Sequence, residues 1–359
     1  MIKRFISLVA LGGLAAAASA QTTQLFGLVD LGPQYLQSGA NSPLAGNHLS
    51  RLYDGVVYGP GSRWGLRVSE DLGDGLKASV LAEFGFRADT GTLTQGGRAC
   101  GRQCFVSLSS PKAGELRLGR QYILHTELLP VAHPVGGVTA LSPGGIYTLT
   151  TGTIAVFIDA PRIDNAVHYI SPSFGGFRVQ AMVAPGEGTA DRYQGLKASY
   201  VQGPIHVAVM HEWSKARVVA AAGPSTVNKL SEIAASYDFG FAKVFSGYQR
   251  GTDLTTGVGT QIGTLTMPGL AGGPATKNSA YSVGVEKNID LFNVHAGYTA
   301  AKFSNTSGAD RTISRYGVGA VYYLSKQTSI YGDIALAGGD LKDYVSEKRV
   351  YQLGLRKIF

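Results

Sequence analysis

Ser62-Arg63-Trp64-Gly65-Leu66-Arg67-Val68-Ser69, then Asp71-Leu72-Gly73-Asp74-Gly75, then Leu76-Lys77-Ala78-Ser79-Val80-Leu81-Ala82-Glu83-Phe84-Gly85-Phe86-Arg87, decides the fold. Successive side chains of a strand point to opposite faces, so Trp64, Leu66 and Val68 share one face and Arg63, Arg67 and Ser69 the other. The Asp/Gly cluster is a tight-turn signal. Past it, Leu76, Ala78, Val80, Phe84 and Phe86 face one way, and Lys77, Ser79, Glu83 and Arg87 the other. Lipid outside and water inside a closed sheet would produce this pair of faces.

The alternation recurs along most of the chain, from Gln24-Leu25-Phe26-Gly27-Leu28-Val29-Asp30 onward. Short links such as Phe174-Gly175-Gly176, Asp238-Phe239-Gly240 and Ser325-Lys326-Gln327 alternate with long polar ones, among them 38–60, 254–278 and 338–348. Every second turn therefore lies on the same rim, as in outer-membrane barrels with short periplasmic turns and long outer loops. The runs predict an all-β fold, a transmembrane antiparallel β-barrel of about sixteen strands. Closure leaves no strand edge with unpaired N–H and C=O groups in the bilayer.

Within residues 121–165 the alternation stops. Pro130, Pro134, Pro143 and Pro161, with Gly136-Gly137 and Gly144-Gly145, leave no clear ladder-forming run. A loop of that length belongs in a compact domain when it has a function. The expectation is that it folds into the barrel and narrows the lumen.

The chain opens with Lys3 and Arg4, an apolar run from Ile6 to Ala18, and Ala18-Ser19-Ala20. Residues 1–20 thus read as a secretory signal peptide, with 21–359 a single barrel domain. Past that leader no apolar run is long enough for a membrane-spanning helix. Removing Lys3 and Arg4 takes the formal net charge from +8 to +6. The basic residues are scattered singly, with no cluster of the kind that binds nucleic acid.

At the other end, Tyr351, Leu353, Leu355 and Phe359 share one face of the last run, and the final residue is aromatic. With these residues the sequence resembles the Gram-negative porin family, in particular the β-proteobacterial general porins. The resemblance is carried by 25–30, by Gly61-Ser62-Arg63-Trp64-Gly65-Leu66-Arg67 with Ser69-Glu70-Asp71-Leu72-Gly73, by Gly101-Arg102-Gln103, Leu118-Gly119-Arg120-Gln121-Tyr122, Arg162-Ile163-Asp164-Asn165-Ala166-Val167 and Phe359.

The resemblance implies a homotrimer of sixteen-stranded barrels in the outer membrane of a Gram-negative bacterium. It implies a third outer loop inside each lumen, facing wall arginines that by position are Arg63, Arg102 and Arg162. The terminal Phe359 with Tyr351, Leu353 and Leu355 would be the signal read by the barrel-assembly machinery. Outer-membrane lipid and small hydrophilic solutes complete the partners, with no cofactor. The pore lining on this reading comprises Arg63, Arg67, Lys77, Glu83, Arg102 and Arg162 on the wall and Glu127 and Asp159 on the loop. A guanidinium stays protonated at physiological pH and binds carboxylate or phosphate as a fork. Arginines outnumbering acids at the narrowest point favour anions. The alternative for each arginine is a rim position, paired with lipid phosphate or loop carboxylates.

The chain departs from the family pattern after Tyr122, where Ile123-Leu124-His125-Thr126-Glu127 stands. It also carries Cys100 and Cys104 around the Gly101-Arg102-Gln103 motif. On a straight strand their Cα atoms would lie about 13 Å apart, so a bond needs a turn there; a local disulfide and free or intermolecular thiols both remain open. Two cysteines alone make no metal site.

Catalytic signals are poor. Ser109-Ser110-Pro111-Lys112 matches a Ser-x-x-Lys pattern at a hairpin turn without its companion motifs, and His211-Glu212 lacks a second His at helical spacing. His125 and His133 read as solvated loop histidines or as groups giving the pore a pH response. The reading is a water-filled channel for passive diffusion with mild anion preference. Its alternatives are a channel specific for an organic anion, with Tyr147, Thr148 and Thr150 at its site, and a structural or adhesive barrel with a plugged lumen.

Overall fold

The computed structural model describes residues 21–54, 61–134, 146–150, 152–157, 162–187, 192–215, 227–254 and 267–359. The expected leader, 1–20, lies outside the described residues. In chain order the strands are β1 (Thr22–Gln37), β2 (His48–Asp54), β3 (Arg63–Gly73), β4 (Leu76–Gly85), β5 (Gln103–Ser110), β6 (Gly114–Tyr122), β7 (Ile146–Leu149), β8 (Gly152–Ala155), β9 (Arg162–Ile170) and β10 (Phe177–Ala184). They continue with β11 (Arg192–Gln202), β12 (Ile205–Lys215), β13 (Asn228–Asp238), β14 (Lys243–Thr252), β15 (Lys277–Ile289), β16 (Phe292–Ser304), β17 (Asp310–Ser325), β18 (Thr328–Gly338) and β19 (Arg349–Ile358). A single α-helical turn among the described residues, α1 (Leu129–Ala132), precedes β7.

All of these strands except the β7–β8 hairpin join one 17-stranded sheet. The first half of β1 pairs with β3 and its second half with β2, so β2 and β3 share one stave. Counting that stave once gives sixteen, all antiparallel, and β1 against β19 closes the barrel. Backbone hydrogen bonds between Gly27 and Phe359 (2.8 and 3.0 Å) finish the seam. At the β3–β4 turn Asp74 and Gly75 both have positive φ, 50° and 78°, the twist a two-residue hairpin requires.

Polarity is inverted relative to a soluble fold. Leu196, Ile233 and Leu353 are exposed, while Lys197, Glu232 and Gln352, each adjacent in sequence, are buried. The outward face is apolar and the inward face polar on strand after strand, as a water-filled barrel in lipid requires.

Two expectations need correction. Residues 38–60 were expected to form one long loop, yet His48–Asp54 is a strand. The 16-residue β1 outruns β3, and pairing with β2 satisfies the N–H and C=O groups it would otherwise leave open. Within 121–165 the absence of ladder-forming runs fails at β7 and β8, a short hairpin in a sheet of its own.

Most described residues of 123–134 and of 147–157 are buried, Pro130 and Thr150 excepted. Ile123, Leu124, Leu128, Val131, Tyr147 and Phe157 form one apolar cluster with buried-face residues of the strands, including Met182, Tyr193, Met210 and Leu230. Full burial of each such side chain stabilises the packing by on the order of 2 kcal/mol.

Candidate functional site

Five side chains from consecutive staves gather on one arc of the wall. Arg63 opens β3, Glu83 lies near the end of β4, Arg102 just precedes β5, Tyr122 ends β6 and Arg162 opens β9. The ladder sets their level: Glu83 pairs with Gln103 across β4–β5, and Tyr122 with Arg162 across β6–β9.

Glu83 is the hub. Its Oε1 lies 3.0 Å from Arg63 Nε and 3.2 Å from Arg102 Nε, and its Oε2 accepts from Gln103 Nε2 at 3.2 Å. Arg102 also donates to the Tyr122 hydroxyl, which accepts from Arg162 Nη2 at 3.1 Å. The guanidiniums of Arg162 and Arg102 lie 4.6 and 5.8 Å from the centre of the Tyr122 ring, within cation–π range. Three guanidiniums around one carboxylate leave a formal charge of +2. Arg63 Nη1 and Arg162 Nε are buried with no hydrogen-bond partner among the described residues.

A second ring of charge braces this one. Arg98 Nη1 donates to both oxygens of Asp164 (3.0 and 2.8 Å), Arg120 Nη1 pairs with the same carboxylate, and Arg120 Nε donates to Gly101 O at 2.7 Å. A bulge between β6 and β9, with Asn165 at φ 56°, lets Arg120 oppose two residues and reach Asp164. Cys100 and Cys104 are bonded. The bend they needed is supplied by Cys100 itself, at φ 36°, just before β5.

Other expected pore residues stand apart. Arg67 lies four residues along β3 from Arg63, its guanidinium 5.4 Å from the centre of the Phe26 ring. Lys77 lines, with Arg117, Arg178, Glu115 and Glu127, a cavity of about 530 Å³ beside the short turns. Glu127 pairs with Lys197 at 2.6 Å. Burial would raise its pKa, but Lys197 and, more weakly, His168 hold it below the usual carboxylate range. Asp159 lies outside the described residues. Tyr122, Arg120 and Lys197 escaped the sequence reading; the place of Tyr122 opposite Arg162 becomes visible only through the register.

The long link between β6 and β9 is pinned by polar contacts as well. Tyr193 Oη accepts from Leu124 N at 3.4 Å, Ser282 Oγ donates to Ala132 O at 3.0 Å, and Asn278 Nδ2 donates to Val156 O at 3.3 Å. His125 and His133 are buried, which overturns their reading as solvated loop residues. His125 meets Glu232, and burial drives the pKa of His133 down to about 4. Gly247, Gly284 and Gly297, on β14, β15 and β16, leave the room that Ala132, Pro134 and His133 occupy. The Tyr147 hydroxyl donates to Ser314 O at 2.8 Å, and that of Thr148 to Glu347 at 2.9 Å. Those two hydroxyls are taken up by the protein, which removes support for a solute site built on them.

A closed sixteen-stave barrel with an apolar outer face and a charged inner arc defines an outer-membrane channel. The profile of the Gram-negative porin family matches residues 7–340, and the chain belongs to that family. An outer membrane porin protein of Bordetella pertussis is 30% identical over 366 residues, covering 92% of this chain and 93% of its own. Outer membrane porin protein 32 of Delftia acidovorans is 30% identical over 343 residues, covering 93% and 89%. Among solved structures, an anion-selective porin from Comamonas acidovorans superposes with a TM-score of 0.74 at 24% identity, over 95% of this chain and all of its own. OmpT of Vibrio cholerae in its trimer form superposes at 0.67 with 15% identity, over 95% of this chain and 100% of its own. The protein is a Gram-negative outer-membrane porin, a channel for passive diffusion, and its relatives are channels, not enzymes.

Proposed function

We propose that this porin passes small hydrophilic solutes with a mild preference for anions, set where Arg63, Arg102 and Arg162 outnumber Glu83 on one arc of the wall. That charge ratio is the observation that carries the reading. A fixed +2 beside the path lowers the energy of a passing anion and raises that of a cation. The anion selectivity in the description of the Comamonas acidovorans porin points the same way.

In this reading the described residues of the 121–165 loop that lie between β6 and β9 sit in the lumen opposite the arginines and form the narrowest passage. Their burial against the polar-faced side of β10–β16 supports this placement. Residues 1–20 are a leader removed on export, the assembled form is a homotrimer, and the barrel-assembly machinery reads the strand ending in Phe359. Outer-membrane lipid covers the remaining apolar face.

The test is single-channel current through purified protein in a planar bilayer under a salt gradient, on wild type and on Arg63→Ala/Arg102→Ala. Open steps in groups of three, an anion-favouring reversal potential and a move toward cations in the double variant are expected. A double variant with wild-type preference would refute the role of the arginine arc.

A further inference from the structure

The arginine arc has a weak point in its construction. Arg63 and Arg162 stand on strands and Tyr122 ends one, so the ladder holds their backbones. Arg102 lies outside the strand that follows it, at the end of the long link from β4. Its neighbour Gly101 lacks the side chain that would restrict the backbone. Yet Arg102 is among the most completely buried large side chains, 1% exposed, and has to meet Glu83 and Tyr122 together.

Arg102 is also the middle residue of the five-residue ring closed by Cys100 and Cys104. Ahead of its strand residues Gln103 and Cys104, the ring is tied to its surroundings by two hydrogen bonds: Arg102 N donates to Glu83 O at 3.2 Å, and Gly101 O accepts from Arg120 Nε at 2.7 Å. Cys104 itself is in the ladder, opposite Ala82 and Arg120. The bond thus fastens the free end of the link to a fixed strand, with Arg102 between the two fastenings.

We infer that the Cys100–Cys104 disulfide is the positioning element of the ion-preference site, holding Arg102 in the arc. Cross-linking removes conformations from the flexible state, and here the conformations removed are those in which Arg102 swings out of reach of Glu83 and Tyr122. A bond with this role persists in the oxidising surroundings of the outer membrane. The inference rests on the proposed reading that the arc sets ion preference.

The experiment compares anion-to-cation permeability ratios, from reversal potentials in planar bilayers, for four channels: wild type, Cys100→Ser/Cys104→Ser, Arg102→Gln and the combination of all three substitutions. Wild-type channels already inserted in the bilayer are also treated with a phosphine reductant, so that the result does not depend on folding of the variants. Losing the Arg102 charge should lower the ratio about fourfold, and losing only its placement about twofold. The combined variant should match Arg102→Gln, because a positioning element acts only through the residue it positions. Heat resistance of the folded barrel should be unchanged.

A Cys100→Ser/Cys104→Ser channel and a reduced channel that both keep the wild-type ratio while Arg102→Gln loses it overturn the inference and leave the arc intact. A combined variant falling clearly below Arg102→Gln also overturns it, because the bond would then be acting through the barrel at large. Arg102→Gln with a wild-type ratio refutes the reading of the arc, and the inference with it.

Discussion

Glu83→Gln should make the channel more anion-selective. The substitution keeps size and shape, and the amide oxygen can occupy the place of Glu83 Oε1, 3.0 and 3.2 Å from Arg63 Nε and Arg102 Nε. What changes is charge: the arc goes from +2 to +3. For an ion passing about 6 Å from the added charge in water, the Coulomb energy is about 0.7 kcal/mol. At ~0.1 M salt the Debye length of about 10 Å reduces it to about 0.4 kcal/mol. Anion and cation are affected with opposite sign, so the permeability ratio should rise about fourfold, shrinking to less than about twofold near 1 M salt. The assay is reversal potential in a planar bilayer at both salt concentrations. Damage to the site can lower a preference but has no means of raising it, so an increase is diagnostic. An unchanged or lower ratio in a barrel that keeps its heat resistance would refute the electrostatic account of the arc.

Further expectations concern the scaffold. Gly284→Leu fills the space used by Pro134 and should displace the 123–134 segment, changing single-channel conductance while the barrel still folds; wild-type conductance would show that this seat does not set the passage. Gly27→Val places a side chain into the Phe359 ring and the Arg63 carbonyl, and should remove most of the heat-resistant folded band on gels. His133, buried and neutral, has its pKa lowered from 6.5 to about 4, so its contribution to loop packing is complete above pH 6.5 and is lost as pH falls toward 4. Open-channel noise should therefore rise across that range in wild type and rise less in His133→Met; equal rises in both would exclude His133 as the source.

The barrel was legible because its determinants are local. Alternation from 62 to 87 gave two staves, their turn and the inward parity of Arg63 and Glu83, and the structure agrees. The alternation of short and long links gave the rims. Where long-range pairing decides, the sequence was silent. His48–Asp54 became strand because β1 had an open edge to fill, a fact of register and not of its own polar composition.

The site was half legible for the same reason. Arg63, Arg102 and Arg162 were placed by resemblance, but the hub role of Glu83 and the bridging role of Tyr122 depend on which residues face each other across three ladders. The cysteines lay in plain view, and the straight-strand distance left their bond open, dependent on a turn; the positive φ of Cys100 resolves it. Gly247, Gly284 and Gly297 carry no mark of their role in the sequence, yet they are niches for a segment more than a hundred residues earlier in the chain.

The central claim is a water-filled channel whose lining favours anions. Its most direct test is the zero-current potential of wild-type protein in a planar bilayer with a potassium chloride gradient. Stepwise conductance with a potential of the sign set by chloride movement is the expected result. A potassium-signed potential would contradict the account of the lining, and absence of conductance steps would contradict the open channel itself.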